Sequence, residues 1–233
     1  MFALFKEGLE QIAFPTTCVG CGDILAGKEN LLCEPCIATR FDDPNPANAD
    51  TCGGLILPDE ISFQDAMWLY DKESVLQTIM RMLKYEGMAE TGQMLGRLAA
   101  ERINQRHLST RIPLNEEVVL LPVPIHKRRK KKRGYNQALL IADGIAELLN
   151  VQVLQADVVV RVRHTVTQTK FNFDKRMQNL KEAFELRKPD QIKGRHVIII
   201  DDVFTTGSTC FTLSSVIAPA GPASVGIFTI GMA

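Results

Sequence analysis

The sequence predicts an α/β protein in which a mainly parallel sheet carries helices on both faces and follows a small cysteine-containing module. Segments typical of strands and of helices alternate from about residue 61 to the end of the chain. Val197 to Ile200 form a run of β-branched residues, which is typical of a strand buried on both faces of such a sheet. Two Cys-x-x-Cys pairs precede this part of the chain. These observations predict two parts, residues 1–60 and residues 61–233.

The first part begins with a pattern typical of a short amphipathic helix, which ends at Pro15. The cysteine pairs come next, Cys18 with Cys21 and Cys33 with Cys36, eleven residues apart. Four thiolates at this spacing suit tetrahedral zinc. Because a unit of under about 40 residues buries too little surface to be stable alone, we expect a structural zinc ion. Two disulfides or a thioredoxin-type redox pair fit the pattern less well.

The second part follows an irregular linker, which proline and Asn/Asp residues predict at 41–50. Hydrophobic periodicity then predicts alternating strands and helices. The expected strands lie at 66–70, 118–124 and 157–162, at the apolar run 197–200, and at 224–230. The expected helices lie at 73–85, 91–106, 137–150, 174–183 and 209–218.

The most informative segment follows the apolar run, where Asp201 and Asp202 stand side by side at the expected strand end. Open α/β sheets bind ligands at this edge, and the two carboxylates can accept hydrogen bonds from sugar hydroxyls. The next five residues can surround a phosphate with N–H groups and hydroxyls at a helix start; they are Thr205, Thr206, Gly207, Ser208 and Thr209. The pattern describes a site for a ribose 5-phosphate. The alternative is a buried strand whose acids merely end it.

Seven consecutive cations, Lys127 to Arg133, follow the strand expected at 118–124. Three interpretations remain open: a solvated basic loop, a patch that binds nucleic acid, or an anion trap for a pyrophosphate group. The position beside the acidic segment favours the third, with Lys127, Arg128 and Arg133 as candidate contacts. Seven cations exceed the need of one pyrophosphate, so the second interpretation also stays open.

Two further segments are candidates for the same site. The polar stretch that starts at Arg163 and runs to Arg176 has little periodicity, so we interpret it as a lid that could close over a bound phosphate. Lys84 faces either the ligand or solvent. An ordinary surface loop fits the polar stretch almost as well.

Composition excludes several classes of protein. No apolar run approaches the roughly 18 residues of a membrane span, and the first residues lack the pattern of a signal peptide. We therefore expect a cytoplasmic protein. The net charge is zero, but the first sixty residues are acidic and the remainder is basic, which favours an anionic ligand for the second part.

Taken together, the segments resemble the competence protein ComF family, which includes proteins named GntX. The run from Val197 to Thr209 also resembles the signature of the type I phosphoribosyltransferases, which bind phosphoribosyl pyrophosphate (PRPP). The other matching pieces are the paired cysteines, Leu83–Tyr85, Leu121–Pro124, Arg133–Gln137, and Arg161–Gln168 with Arg176 and Asn179. One departure is Tyr135, which stands where the family usually has Phe.

The resemblance implies a phosphoribosyltransferase-like domain behind a zinc finger and a role in natural competence, with Mg²⁺ accompanying PRPP. In an enzyme, Asp201 and Asp202 would hold the ribose hydroxyls, residues 205–209 the 5-phosphate, and basic groups including Arg163 the pyrophosphate. A nitrogenous acceptor would receive the phosphoribosyl group. In the alternative, a non-catalytic adaptor binds single-stranded DNA and a helicase, recombination or DNA-uptake protein.

Overall fold

The computed structural model describes residues 16–25, 31–42, 57–71, 74–85, 88–105, 117–162 and 183–233. The helix expected before Pro15, the lid that starts at Arg163, and nearly all of the linker lie outside these described residues. The described helices contain none that is long and apolar enough to cross a membrane.

The core of the described chain is a five-stranded sheet in which every neighbouring pair is parallel, with strand order β1-β7-β6-β2-β3. Its strands are β1 (Ile61–Leu69), β2 (Val118–Pro122), β3 (Gln152–Val153), β6 (His196–Phe204) and β7 (Ser224–Met232). β6 lies at the centre, and its apolar run is buried as predicted. The strand continues beyond the two aspartates to Phe204 instead of ending at them.

Helices cover both faces of this sheet. They are α1 (Glu34–Thr39), α2 (Val75–Tyr85), α3 (Ala89–Gln105), α4 (Lys127–Arg133), α5 (Gln137–Leu149) and α6 (Ser208–Ile217). Apolar side chains of α2, α3 and α5 form one core with Ile198 and Ile200 of β6. α6 forms the other core with Val197 and Ile199, whose side chains point to the opposite face. The predicted fold class is therefore confirmed.

The contact between α3 and α5 depends on two glycines. A Cβ atom at Gly96 would collide with the carbonyl oxygen of Ile141, and one at Gly144 would collide with that of Gln93. The two backbones thus approach more closely than any side chain permits. This close packing fixes α5, and with it the amino end of α5, above the carboxyl edge of the sheet.

Two further elements differ from the sequence prediction. The strand expected at 157–162 is shorter, β4 (Val159–Arg161), and pairs antiparallel with β5 (Phe184–Leu186) in a separate two-stranded sheet. The basic run is not a loop but the helix α4. Its amino end is capped by His126, whose Nδ1 accepts from the N–H of Arg128 at 3.2 Å, and its carboxyl end by left-handed Gly134. Lys and Arg are good helix formers, so two caps stabilise a helix despite the repulsion of like charges.

The cysteine segment packs directly against the sheet domain. The N–H of Leu31 donates to Sδ of Met94 at 3.1 Å, and the ring of Phe41 stacks on Trp68 with centroids 4.0 Å apart. The N–H of Leu69, the last residue of β1, donates to the carbonyl of Asp42. The division into residues 1–60 and 61–233 stays a prediction, but these contacts join the two parts through a common apolar core.

Candidate functional site

The carboxyl end of β6 brings two acids to the edge of the sheet. Asp201 and Asp202 are both half-buried. The Oδ1 atom of Asp201 accepts from the N–H of Asp202 at 2.9 Å, and Oδ1 of Asp202 accepts from the N–H of Val203 at 2.8 Å. Each carboxylate is thus fixed by the backbone, and a second oxygen of each is left for another partner.

Lys84, in the last turn of α2, supplies that partner for Asp202. Its Nζ lies 2.7 Å from Oδ2 of Asp202, and both side chains are largely withdrawn from solvent. The interaction crosses more than a hundred residues of sequence. It places a cation beside the acid pair from the face of the sheet that α2 covers.

The carboxyl group of Asp201 has a raised pKa. Burial and then the adjacent charge of Asp202 raise the pKa of Asp201 to about 8, although Lys84 partly opposes the rise. At neutral pH its carboxyl group therefore holds a proton in most molecules. The acid pair consequently presents one hydrogen-bond donor as well as several acceptors, which suits hydroxyl groups that both donate and accept.

A second cation approaches from the opposite face. Burial lowers the pKa of Arg161 in β4, the charge of Arg129 lowers it further, and the charge of Asp201 acts against both. The guanidinium also lies over the ring of Phe184, 5.2 Å from its centroid. Arg161 therefore lies close enough to Arg129 and to Asp201 to be influenced by both charges, so the acid pair is flanked by cations on both faces.

The segment after β6 turns sharply into α6 at Gly207. This residue has φ 68° and ψ −8°, in the left-handed region, and a Cβ atom would lie 2.6 Å from the ring of Phe211 and 2.7 Å from that of Phe204. Only glycine fits such a position without strain. Thr205 and Thr206 are exposed, and Oγ1 of Thr206 lies 2.7 Å from Oγ of Ser208.

The start of α6 gives this loop its polarity. The first N–H groups of a helix have no intrahelical acceptor and form the positive end of its dipole. Ser208 and Thr209 stand at these first positions. The five loop residues predicted from the sequence thus lie together in a turn whose hydroxyls and N–H groups suit an anion.

Some cations of the basic helix α4 line a cleft, and others do not. Lys127 and Lys130, one turn apart, line a cleft of about 200 Å³ at the carboxyl end of β2, and Arg161 lines it as well. Arg128 is exposed and is not among the residues that line this cleft. Arg133 lies near Tyr135. Burial raises the pKa of the Tyr135 phenol, and the charge of Arg133 partly offsets that rise.

The four predicted metal ligands lie together. The sulfur atoms of Cys18, Cys21, Cys33 and Cys36 are all within 4.8 Å of one another, and those of Cys21 and Cys33 are 3.7 Å apart. Tetrahedral zinc with Zn–S bonds of about 2.3 Å requires sulfur atoms about 3.8 Å apart. The cluster could therefore hold zinc.

Backbone groups also favour the thiolate form of Cys18 in this cluster. Burial opposes ionisation of Cys18, but N–H groups of Cys33, Cys21 and Gly20 outweigh it and lower the pKa of Cys18 to about 6. The N–H groups of Gly20 and Cys33 each lie 3.4 Å from its sulfur. Such N–H···S contacts are those that the turns around a metal knuckle provide.

Sequence reasoning did not select three groups that the structure adds to the candidate site. Arg161 lies near Asp201 and near Arg129, and Lys130 lines the cleft. The i, i+3 spacing of Lys127 and Lys130 would have indicated one helix face if the basic run had been assigned to a helix. Arg161 had no local signal, because its approach to Asp201 depends on how the small sheet packs.

Comparisons with known proteins support a relationship over most of the chain. The DNA utilization protein YhgH of Escherichia coli (strain K12) is 31% identical over 168 residues, which are 72% of this chain and 72% of that protein. The chain belongs to the ComF family. Competence protein F of Haemophilus influenzae (strain ATCC 51907 / DSM 11121 / KW20 / Rd) is 28% identical over 229 residues, 94% of this chain and 98% of its own length. No family model matches the chain.

Among solved structures, the chain is similar to the allosteric regulatory enzyme of purine biosynthesis. The TM-score is 0.38, with 17% sequence identity, over 61% of this chain and 25% of that chain. This likeness is too loose to bear on activity or ligands.

Proposed function

We propose that this member of the ComF family binds PRPP at the carboxyl edge of the sheet and transfers its phosphoribosyl group to a nitrogenous acceptor. The observation that carries the proposal is the acid pair at the end of the central strand, flanked by Lys84 and Arg161 and followed by the anion-binding turn at Gly207. Membership of the family supports it.

In this proposal each part of the site binds one part of PRPP. Asp201 and Asp202 hold the ribose hydroxyls, Thr205 to Thr209 hold the 5-phosphate, and cations including Lys127 and Arg161 meet the pyrophosphate. The spacing agrees with the order of these groups along PRPP, because the turn and the acids are adjacent on one strand end. Arg128 and Arg133 stay candidates, and Arg163 lies outside the described residues.

The reaction breaks the bond between C1′ and the pyrophosphate oxygen, which leaves with the electron pair, and forms a bond from C1′ to the acceptor nitrogen. The acceptor's proton passes to a base, a role that we assign to Asp202. Fixed cations near the leaving group stabilise its charge. Mg²⁺ bound to PRPP supplies further neutralisation of the pyrophosphate. Because Asp201 is mostly protonated and Asp202 pairs with Lys84, the acids suit hydroxyl groups better than a bare cation.

The proposal also assigns a structural zinc ion to the four cysteines. The sulfur positions fit a tetrahedral site, and the segment packs against β1 and α3 through Phe41 and Leu31. Zinc would therefore hold together a module that is continuous with the apolar core of the sheet domain.

Isothermal titration with PRPP and Mg²⁺ tests the proposed site. Replacing Asp201→Asn together with Asp202→Asn removes hydrogen bonds worth about 1 kcal/mol each or more, so the dissociation constant should rise at least tenfold. Asp190→Asn is the matched control, because Asp190 is exposed and precedes the amino end of β6, whereas the acids lie near its carboxyl end. Equal PRPP affinity in the double variant and the control would refute the proposal.

The second candidate is a DNA-handling adaptor that binds single-stranded DNA and a DNA-uptake or recombination protein. Two observations favour it: relatives carry the names DNA utilization protein and competence protein, and α4 exposes several cations that do not line the cleft. The small number of aromatic residues near α4 offers no stacking surface, which argues against tight binding.

The salt dependence of DNA binding tests the adaptor hypothesis. Replacing Lys130, Lys131 and Lys132 with Ala should reduce the slope of log affinity against log salt by about 2 if each contacts a phosphate of single-stranded DNA. The control removes Arg187, Lys188 and Lys193, which precede β6 at the other end of the sheet. A slope that changes equally in both variants would count against a specific DNA surface on α4.

A further inference from the structure

The hydroxyl group of Tyr135 bonds to the helix that carries Lys84. It donates to the carbonyl of Leu83 over 2.8 Å. Leu83 lies in the last turn of α2, where carbonyl groups have no N–H partner within their own helix. Because helix ends fray where such groups lack partners, the phenol fixes the last turn of α2 from outside the helix.

Tyr135 is itself held in place on both sides. Gly134 before it ends α4 in the left-handed conformation, and its N–H donates to the carbonyl of Lys130 at 2.7 Å. Asn136 after it donates from Nδ2 to the carbonyl of Val123, just beyond the end of β2, at 3.0 Å. The half-buried ring packs against the core that α2, α3 and α5 share. The phenol therefore ties the end of α2 to a fixed point near the end of β2.

The residue after Leu83 makes the contact with the acid pair. The ammonium group of Lys84 lies 2.7 Å from Oδ2 of Asp202, and Oδ1 of the same carboxylate accepts from the N–H of Val203 at 2.8 Å. Both oxygen atoms of Asp202 are therefore oriented, and each keeps a lone pair for a sugar hydroxyl. Fraying of the last turn of α2 would withdraw the ammonium group and remove one of the two contacts that orient this carboxylate.

We propose that Tyr135 is a positioning residue for the acid pair, because its bond to the carbonyl of Leu83 keeps the Lys84 ammonium group on Asp202. In this role Tyr135 acts through Lys84 and not through a contact of its own with the acids. The inference rests on the proposed function only for what the acids bind. The positioning itself can be tested without PRPP.

The titration of Asp201 reports where the Lys84 ammonium group lies. Burial and then the charge of Asp202, on the same strand, raise the pKa of Asp201 to about 8, whereas the charge of Lys84 on α2 lowers it. Arg161 approaches from β4, with Arg129 of α4 near it. Because a nearby cation favours the ionised carboxylate, withdrawal of the Lys84 ammonium group should raise the pKa of Asp201 further.

The test follows the upper carboxyl titration of the acid pair by NMR of isotope-labelled aspartate in the full chain, with Asp201→Asn to identify the signal. Lys84→Gln should raise the midpoint by about 1 pH unit or more, since a nearby opposite charge lowers a carboxyl pKa by roughly 1–3 units. Tyr135→Phe keeps the ring and removes only the hydroxyl. It should raise the midpoint by about half a unit, as far as the loss of one hydrogen bond permits.

A double variant distinguishes positioning from a general effect of Tyr135. In the Lys84→Gln background, Tyr135→Phe should add less than about 0.2 unit, because a residue that acts through Lys84 has no effect once the ammonium group is gone. A shift of the same size in both backgrounds, or no shift from Tyr135→Phe in the native chain, would overturn the inference.

Ser224→Ala is the matched control for a merely structural role. It removes a hydrogen bond of the same length, 2.8 Å between Oγ of Ser224 and Nδ1 of His196, at the amino ends of β7 and β6. This variant should leave the midpoint unchanged, and a shift equal to that of Tyr135→Phe would also refute the positioning role. PRPP is titrated separately against the same samples, so failure of the sheet edge to bind PRPP and failure of Tyr135 to position Lys84 are read independently.

Discussion

Gly207→Ala is the change that most directly tests the turn between β6 and α6. The position has φ 68°, and a non-glycine residue in the left-handed region costs roughly 1–2 kcal/mol. The added methyl group would also lie 2.6 Å from the ring of Phe211 and 2.7 Å from that of Phe204. Overpacking of this kind costs about 1–3 kcal/mol, so the total loss in the free energy of unfolding should be about 2–5 kcal/mol.

Gly194→Ala separates the two causes. Gly194 has φ 70°, nearly the same backbone conformation, but a Cβ atom there would have no heavy atom within 4 Å. This control should therefore lose only the backbone part, about 1–2 kcal/mol. Urea unfolding followed by circular dichroism measures both variants, and the linear extrapolation gives each free energy.

The comparison has a clear refuting result. If Gly207→Ala and Gly194→Ala lose the same stability, the rings of Phe204 and Phe211 do not confine the turn, and the loop is softer than its geometry indicates. If Gly207→Ala instead loses at least about 1 kcal/mol more in the free energy of unfolding, the rings of Phe204 and Phe211 confine the turn. The affinity for PRPP can then be compared between the two variants, because only Gly207→Ala alters the turn.

Three further predictions concern other parts of the structure. Asp201→Asn should become progressively more stable relative to the native chain from pH 5 to pH 8, because the raised pKa of Asp201 gives the native chain stability that is present at low pH and lost as pH rises through about 8. Urea unfolding should show a relative gain above about 1.4 kcal/mol, which corresponds to one pKa unit. Parallel pH profiles of the two proteins would contradict this prediction. Tyr135→Phe removes the hydrogen bond from the phenol to the carbonyl of Leu83, 2.8 Å long, and should cost about 1 kcal/mol; a change below the error of the measurement would show that this bond does not hold α2 near Lys84. Removal of metal with a chelator should lower the melting temperature of the whole sheet domain together with the cysteine module, because Cys18 and Cys36 share its core; separate transitions measured by calorimetry would contradict the shared core.

Much of the fold could be predicted because the signals are local. The buried run Val197 to Ile200 has the composition of a central parallel strand, and the structure confirms it. The helix predicted at 209–218 is observed at Ser208–Ile217, since Gly207 and the hydroxyl residues mark its start. Short pairings were missed: β3 spans two residues and β5 three, too few for a periodic pattern.

The basic run shows a different kind of error. No helix was predicted for the seven cations, although Gly134 directly after the last of them is the usual stop signal of a helix. Assigning a helix would also have sorted the cations, because Lys127 and Lys130 then share a face. The signal was in the sequence, but the run was interpreted from its charge and from its position beside the acidic segment.

The candidate site itself could be predicted only where its residues are neighbours in sequence. The acids and the loop at 201–209 are adjacent, so their grouping was visible, but nothing local indicated that the surroundings of the two acids would differ. That difference comes from packing: Lys84 reaches Oδ2 of Asp202 from α2, while Asp201 is buried beside a charged neighbour and is approached by Arg161 from the other face. Burial beside a charged neighbour therefore raises the pKa of Asp201, while Asp202 pairs with a cation. Two identical residues side by side thus become an acceptor and a donor, which is the arrangement that a pair of sugar hydroxyls requires.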